Sequence, residues 1–140
     1  MSNPLFLCRF LFSIFFVAHL FNLSHGDVGT ATPYGPPYLP TACAGNDFSM
    51  FPTTNLFAAA GEGIWENGAA CGRQYLVRCF SSNVRKACVT DQTIQVTIVD
   101  RAISTVSKPA VAGTTMLLST TAYKSIVKGA ASLVSIEFTQ

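Results

Sequence analysis

The chain has 140 residues, with nine Lys and Arg against seven Asp and Glu, and 49% of its residues are hydrophobic. Beside a targeting segment, that length holds one ordinary domain and not two. A formal net charge of +2 gives no electrostatic reason to expect a nucleic-acid partner.

The first element is apolar. Leu5 to Leu23 carries six Phe between Phe6 and Phe21, interrupted mainly by Arg9, His19 and Asn22. It ends at Ser24-His25-Gly26, with small residues at the −3 and −1 positions of a cleavage site after Gly26. This pattern predicts a secretory signal peptide over residues 1–26; an uncleaved anchor is the alternative. Cleavage leaves a domain over 27–140, with no stable membrane insertion. It removes Arg9, Cys8, the sequon Asn22-Leu23-Ser24 and both histidines, His19 and His25. The remaining chain then has no His for a Ser-His-Asp or Cys-His catalytic unit, and none to ligate a metal. We expect no metal and no cofactor.

Four cysteines remain: Cys43, Cys71, Cys79 and Cys88. An even number in an oxidising compartment predicts two disulfides, for which three pairings exist. The short Cys79 to Cys88 spacing suits a hairpin or loop closure, which leaves Cys43 for Cys71. A four-thiolate zinc site is the alternative, and the lack of any Cys-x-x-Cys pair counts against it.

Along 27–140, Pro33, Pro36, Pro37 and Pro40 argue against a helix or a central strand. The expectation is a short edge strand near Gly29–Thr32, then an ordered loop. Asn55 to Gly61 fits a short strand or a helical turn equally. Gln74–Phe80 places Tyr75, Val77 and Cys79 on one face and Arg78 on the other. Thr93–Val99 alternates Ile94, Val96 and Ile98 with Gln95 and Thr97. Leu133–Phe138 alternates Val134, Ile136 and Phe138 with Ser135 and Glu137. This period of two in β-branched residues predicts half-buried strands. Ser119 to Gly129 predicts a short amphipathic helix, capped by Ser119 or Thr120, with Ala122, Tyr123, Ile126 and Val127 on one face. Strands with one late helix suggest a small closed barrel.

Several blocks occur in a specific order: Gly29-Thr30-Ala31-Thr32; Cys43; Leu56 to Gly61; Trp65-Glu66-Asn67-Gly68-Ala69-Ala70-Cys71-Gly72-Arg73; Val77-Arg78-Cys79; and Val96-Thr97-Ile98-Val99-Asp100-Arg101. In this order they resemble the plant natriuretic peptides, stand-alone expansin-like domains related to barwin and to glycoside hydrolase family 45. The resemblance runs from about Val28 to the C-terminus. It implies a mainly β fold, a six-stranded double-psi β-barrel, and the pairings Cys43–Cys71 and Cys79–Cys88. Two departures stand out. Many members carry two further cysteines after the Ile-Val-Asp block, and both are missing here. Catalytic relatives carry an acid in a His-Phe-Asp-Leu segment, and its position here is Leu117.

Glycoside hydrolysis needs a general acid and a second carboxylate across the scissile bond. With Leu117 at the acid position and no His after cleavage, we expect no enzymatic activity and assign no catalytic residue. Asp100 is the best single candidate for a groove carboxylate; the reading we favour is that Asp100 and Arg101 fix the following loop. Thr32 and Tyr34, with Tyr38, match residues that edge the sugar groove of expansins, or else the tyrosines pack the proline-rich loop. Trp65 is expected in the core, the alternative being an exposed sugar platform. Arg73, Arg78, Arg85 and Lys86 form a modest basic group around the second disulfide, for an acidic wall glycan or a receptor, or simply solvated. The resemblance implies a secreted, monomeric apoplastic signalling protein acting on ion and water homeostasis through a cell-surface receptor. The rivals are a cell-wall polysaccharide-binding or wall-loosening module and a barwin-like defence protein.

Overall fold

The computed structural model describes residues 3–20, 26–104, 106–109 and 111–140. Helix α1 covers Pro4–Leu20 and exposes apolar side chains such as Leu5, Phe6 and Phe12. Among the described residues no helix is long and apolar enough to cross a membrane. Residues 24 and 25 of the expected cleavage site, and the sequon 22–24, lie outside the described residues.

Six strands follow: β1 Asp27–Tyr34, β2 Phe57–Ala60, β3 Gln74–Ser81, β4 Thr93–Arg101, β5 Met116–Ser119 and β6 Val134–Thr139. They close in the order β1-β5-β2-β4-β3-β6, with β6 returning to β1. Two pairings, β1 with β5 and β2 with β4, are parallel; the other four are antiparallel. Closure leaves no long sheet edge to template aggregation. The barrel interior is filled by Ala31, Ala58, Val77, Val96, Ile98, Met116, Leu118 and Ile136, all without solvent access.

The three alternating segments form β3, β4 and β6, with the anticipated residues buried. The undecided Asn55 to Gly61 stretch holds a strand, and a helical turn follows it. Phe57–Ala60 is β2, and Glu62–Trp65 is a helical turn, α2, running into a 3-10 turn at Glu66–Gly68. Gly61 lies between them because a Cβ there would collide with the carbonyl oxygens of Thr114 and Thr115, and its N–H donates to Thr115 O at 2.8 Å.

Strand β1 differs from the expected edge strand. It pairs on both sides, with β5 and with β6. Pro33 is tolerated because the β6 pairing ends at Ala31, so its missing N–H faces no ladder there. Strand β5 had no alternating signal, since all four of its residues are buried. The late helix, α3, covers Thr120–Ile126, with the Ser119 side chain accepting from Ala122 N at 3.1 Å. It stops before Gly129 because Val127 turns extended and bridges to Cys88. Disulfides join Cys43 to Cys71 and Cys79 to Cys88.

Candidate functional site

The register assembles the site on the outer face of the barrel. Thr32 on β1 stands opposite Leu117 on β5, Leu117 opposite Ala59 on β2, and Ala59 opposite Asp100 on β4. One row across four strands thus joins three residues singled out from the sequence, two of them as groove candidates, with Ala59 between. A bulge in the β2–β4 ladder places Asp100 there: Ala58 pairs with Ile98, Ala59 with Asp100, and Val99 is the extra residue. Two positions along each strand a second row runs over the same face, with Tyr34 opposite Ser119 and Phe57 on β2.

The first row is closed to solvent. Thr32 is 3% exposed, and Ala59, Asp100 and Leu117 are 0%; Tyr34 of the second row is 7% exposed. Tyr38, Met50 and Phe51, from the loop between β1 and β2, pack onto Tyr34, Phe57, Ala59, Val99, Ala102 and Leu117. The Asp100 carboxylate holds two loops at once. Oδ1 accepts from Ala42 N at 2.7 Å and from Arg101 N at 2.8 Å, and Oδ2 accepts from Ser104 Oγ at 2.6 Å. Ser104 Oγ also accepts from Ser107 N, and Ser107 Oγ donates to Arg101 O. A buried carboxylate costs several kcal/mol unless its oxygens are bonded, and these charge-assisted bonds supply that compensation. Arg101 does not pair with Asp100 through its side chain. Its guanidinium pairs with Glu62 at 2.7 Å and lies 5.7 Å from the ring centroid of Trp65. Of the four groove candidates, Arg101 alone reaches the surface.

Two hydroxyls in this region, Thr32 Oγ1 and Tyr34 Oη, hydrogen-bond to no protein atom. Burial pushes the Tyr34 phenol well above the ordinary tyrosine range, with the charges of Asp100 and Tyr38 adding to the shift.

Phe57 and Ser119 of the second row, though buried, line a pocket of about 680 Å³. Its lining includes the rings of Tyr38, Phe48, Phe51 and Phe57 and the exposed polar residues Asn55 and Thr121. Ring centroids lie 4.7 Å apart for Tyr38–Phe57 and for Phe51–Phe57, at 89° and 75°. A hydroxyl clasp holds the proline-rich loop against α3. Tyr38 Oη donates toward Tyr34 O and Thr120 Oγ1 at 3.2 and 3.3 Å, and accepts from Thr120 N at 3.2 Å. Ser119 Oγ donates to Asn55 O at 2.7 Å. The sequence reading picked out Tyr38 and missed Phe48, Phe51 and Phe57. The available signal was a loop too rich in aromatics to be plain solvated chain.

Trp65 is partly buried against the main core. The basic group is broken up: Arg73 pairs with Glu66 at 2.6 Å and Arg78 with Glu137 at 2.7 Å, while Arg85 and Lys86 have no carboxylate partner among the described residues.

No protein-family model matches the chain. Curated relatives do. EG45-like domain containing protein 2 of Arabidopsis thaliana is 36% identical over 89 residues, 62% of this chain and 64% of that protein. The EG45-like domain containing protein of Citrus jambhiri is 35% identical over 122 residues, 84% of this chain and 83% of the relative. Putative EG45-like domain containing protein 1 of Arabidopsis thaliana is 29% identical over 121 residues, 85% of this chain and 87% of that protein. Among solved structures, the apo expansin of Clavibacter michiganensis matches with a TM-score of 0.56 at 18% identity, over 80% of this chain and 48% of the expansin. A mutant of that expansin in complex with cellohexaose matches with a TM-score of 0.57, also at 18% identity. This chain therefore spans about half of the expansin and 64% of the first relative. The structural likeness bears on the fold alone, a barrel shared with the expansin structures, and the sequence identity over most of both chains in the Citrus protein establishes the family: this chain belongs to the EG45-like domain proteins.

Proposed function

We propose that this protein is a secreted, non-enzymatic, monomeric signalling protein of the plant natriuretic peptide type. In this reading it is released into the apoplast after removal of residues 1–26 and acts on ion and water homeostasis through a cell-surface receptor. The observation that carries it is the closed row. Asp100 has no solvent access and spends both carboxylate oxygens on loop anchoring. Leu117, which the resemblance sets at the position of the family acid, is equally buried. That face presents no group to protonate a leaving oxygen, which supports a binding role over a hydrolytic one.

The test uses protein purified from the medium of cells expressing the full chain. Dose-dependent swelling of plant protoplasts is the expected result. No volume change at any dose sinks the signalling reading. Reducing sugar released from cellulose, xyloglucan or chitin above a heat-killed control would sink the non-enzymatic one.

The second reading is a cell-wall polysaccharide-binding module, supported by the fold neighbour solved in complex with cellohexaose. Retention on insoluble wall glucan, competed by soluble oligosaccharide, would favour it, with Arg101 as the accessible candidate contact.

A further inference from the structure

We infer that the pocket beside the closed row is a binding site for an uncharged, hydroxylated aromatic small molecule, that is, a phenolic ligand. This stands independently of the function proposed above. The volume of about 680 Å³ lies in the range of sites that enclose a compact organic ligand rather than a polymer.

Three features of the lining select the ligand chemistry. No residue lining the pocket is charged, so an anionic sugar, a nucleotide or an ammonium ligand would lose hydration with no counter-charge. The rings stand nearly perpendicular to one another, Tyr38 and Phe51 each meeting Phe57 edge-on. A ring inserted among them can meet one wall by its face and another by its edge, the two arrangements aromatic pairs prefer. Polar capacity is small. The Ser119 and Thr120 hydroxyls are committed to the Asn55 carbonyl and to the Tyr34–Tyr38 clasp. The side chains of Asn55 and Thr121 have no partner among the described residues; the bonds these residues make there run through their backbones. Two free polar groups suit the one or two hydroxyls of a phenol. They do not suit a glucan, whose sugars each bring several hydroxyls that must be re-bonded on leaving water.

Phe48 makes the site testable without threatening the fold. It is 68% exposed, lines the pocket and meets Phe51 edge-on with ring centroids 5.9 Å apart. The probe is 4-hydroxycinnamyl alcohol, titrated calorimetrically into the purified disulfide-bonded protein. We expect saturable one-site binding with Kd below about 1 mM. Phe48→Ala should weaken it at least about tenfold, and Thr121→Val by roughly threefold, within the range of single interface contacts. Phe80→Ala, exposed on β3 outside the pocket lining, should leave it unchanged. No saturation at several times that concentration overturns the proposal, as does unchanged affinity in a folded Phe48→Ala protein. Equal affinity for 3-cyclohexylpropan-1-ol would show a merely greasy pocket. Tighter, Phe48-dependent binding of cellohexaose would assign it to glycan instead.

Discussion

Two neighbouring rows on one barrel face are both buried, but the covering loop packs flat on one and leaves a pocket beside the other. Thr32, Leu117, Ala59 and Asp100 lie sealed under the loop between β1 and β2, while Ser119 and Phe57, two positions along β5 and β2 and themselves buried, line a pocket that this loop leaves beside α3. The loop between β1 and β2 crosses both. Over the first row it meets a carboxylate that must be hydrogen-bonded once buried, and Ala42 N is drawn down onto it. Over the second row it brings rings, which impose no such requirement and can stay partly in water with little polar cost. One loop therefore packs flat where the face is charged and leaves a pocket where it is aromatic.

The largest expected effects test the sealed row. Asp100→Ala strands the N–H groups of Ala42 and Arg101 and the hydroxyl of Ser104. It should cost about 4 kcal/mol in urea unfolding, since each lost partner leaves a buried group unsatisfied. Leu117→Asp should cost at least about 3 kcal/mol, because the new carboxylate would sit fully buried between Thr32 and Ala59. A loss under about 1 kcal/mol in either would mean that the loop does not seal this row.

Next come the staples. Cys43–Cys71 closes a separation of 28 residues and ties down the sealing loop; Cys79–Cys88 closes a separation of 9. The chain-entropy account gives roughly 3.6 kcal/mol for the first and roughly 2.6 for the second. Paired Cys→Ser variants, compared by chemical unfolding, should therefore differ by about 1 kcal/mol in that order. The loss of Cys43–Cys71 alone should also make the Ala42 amide exchange faster with deuterium.

Tyr34→Phe should have a smaller effect of opposite sign. Its hydroxyl has no protein partner, so near neutral pH the variant should match the wild type or gain up to about 1 kcal/mol. The alkaline limb sharpens the test. Because the folded state holds the Tyr34 proton above the ordinary tyrosine pKa, its stability contribution is intact below that pKa. As pH rises beyond it, the unfolded phenol ionises first and stability falls, by about 1.4 kcal/mol per pH unit for one such group. Tyr34→Phe should remove that share, while Tyr123, also raised by burial, keeps its own. Phe48→Ala should have the smallest effect on stability, within about 0.5 kcal/mol, because the side chain is mostly solvated.

Legibility followed physical signal. Strands β3, β4 and β6 face the core on one side and solvent on the other, so their period of two is written in the residues. Strands β2 and β5 are buried on both faces, where alternation vanishes. Asp100 drew notice from its place at the end of a strong strand. Arg101 and the loop that follows were read with it, whereas Ala42, 58 positions away in the chain, is joined to it only by the fold. The aromatic pocket was the least legible part, since Tyr38, Phe48 and Phe51 come from an irregular loop with no periodicity.

From sequence alone came the closed-barrel class, the two cysteine pairs and the β3, β4 and β6 faces. Each rests on local pattern, on spacing or on residue identity at a family motif. Only the tertiary structure decided that β1 is paired on both sides, that Thr32, Leu117, Ala59 and Asp100 share a row, and that the loop packs flat on that row and leaves a pocket beside the next. Those outcomes depend on strand register, a bulge at Val99 and a 22-residue excursion between Tyr34 and Phe57. They are set by which long-range contacts satisfy a buried carboxylate, and no local pattern encodes that choice.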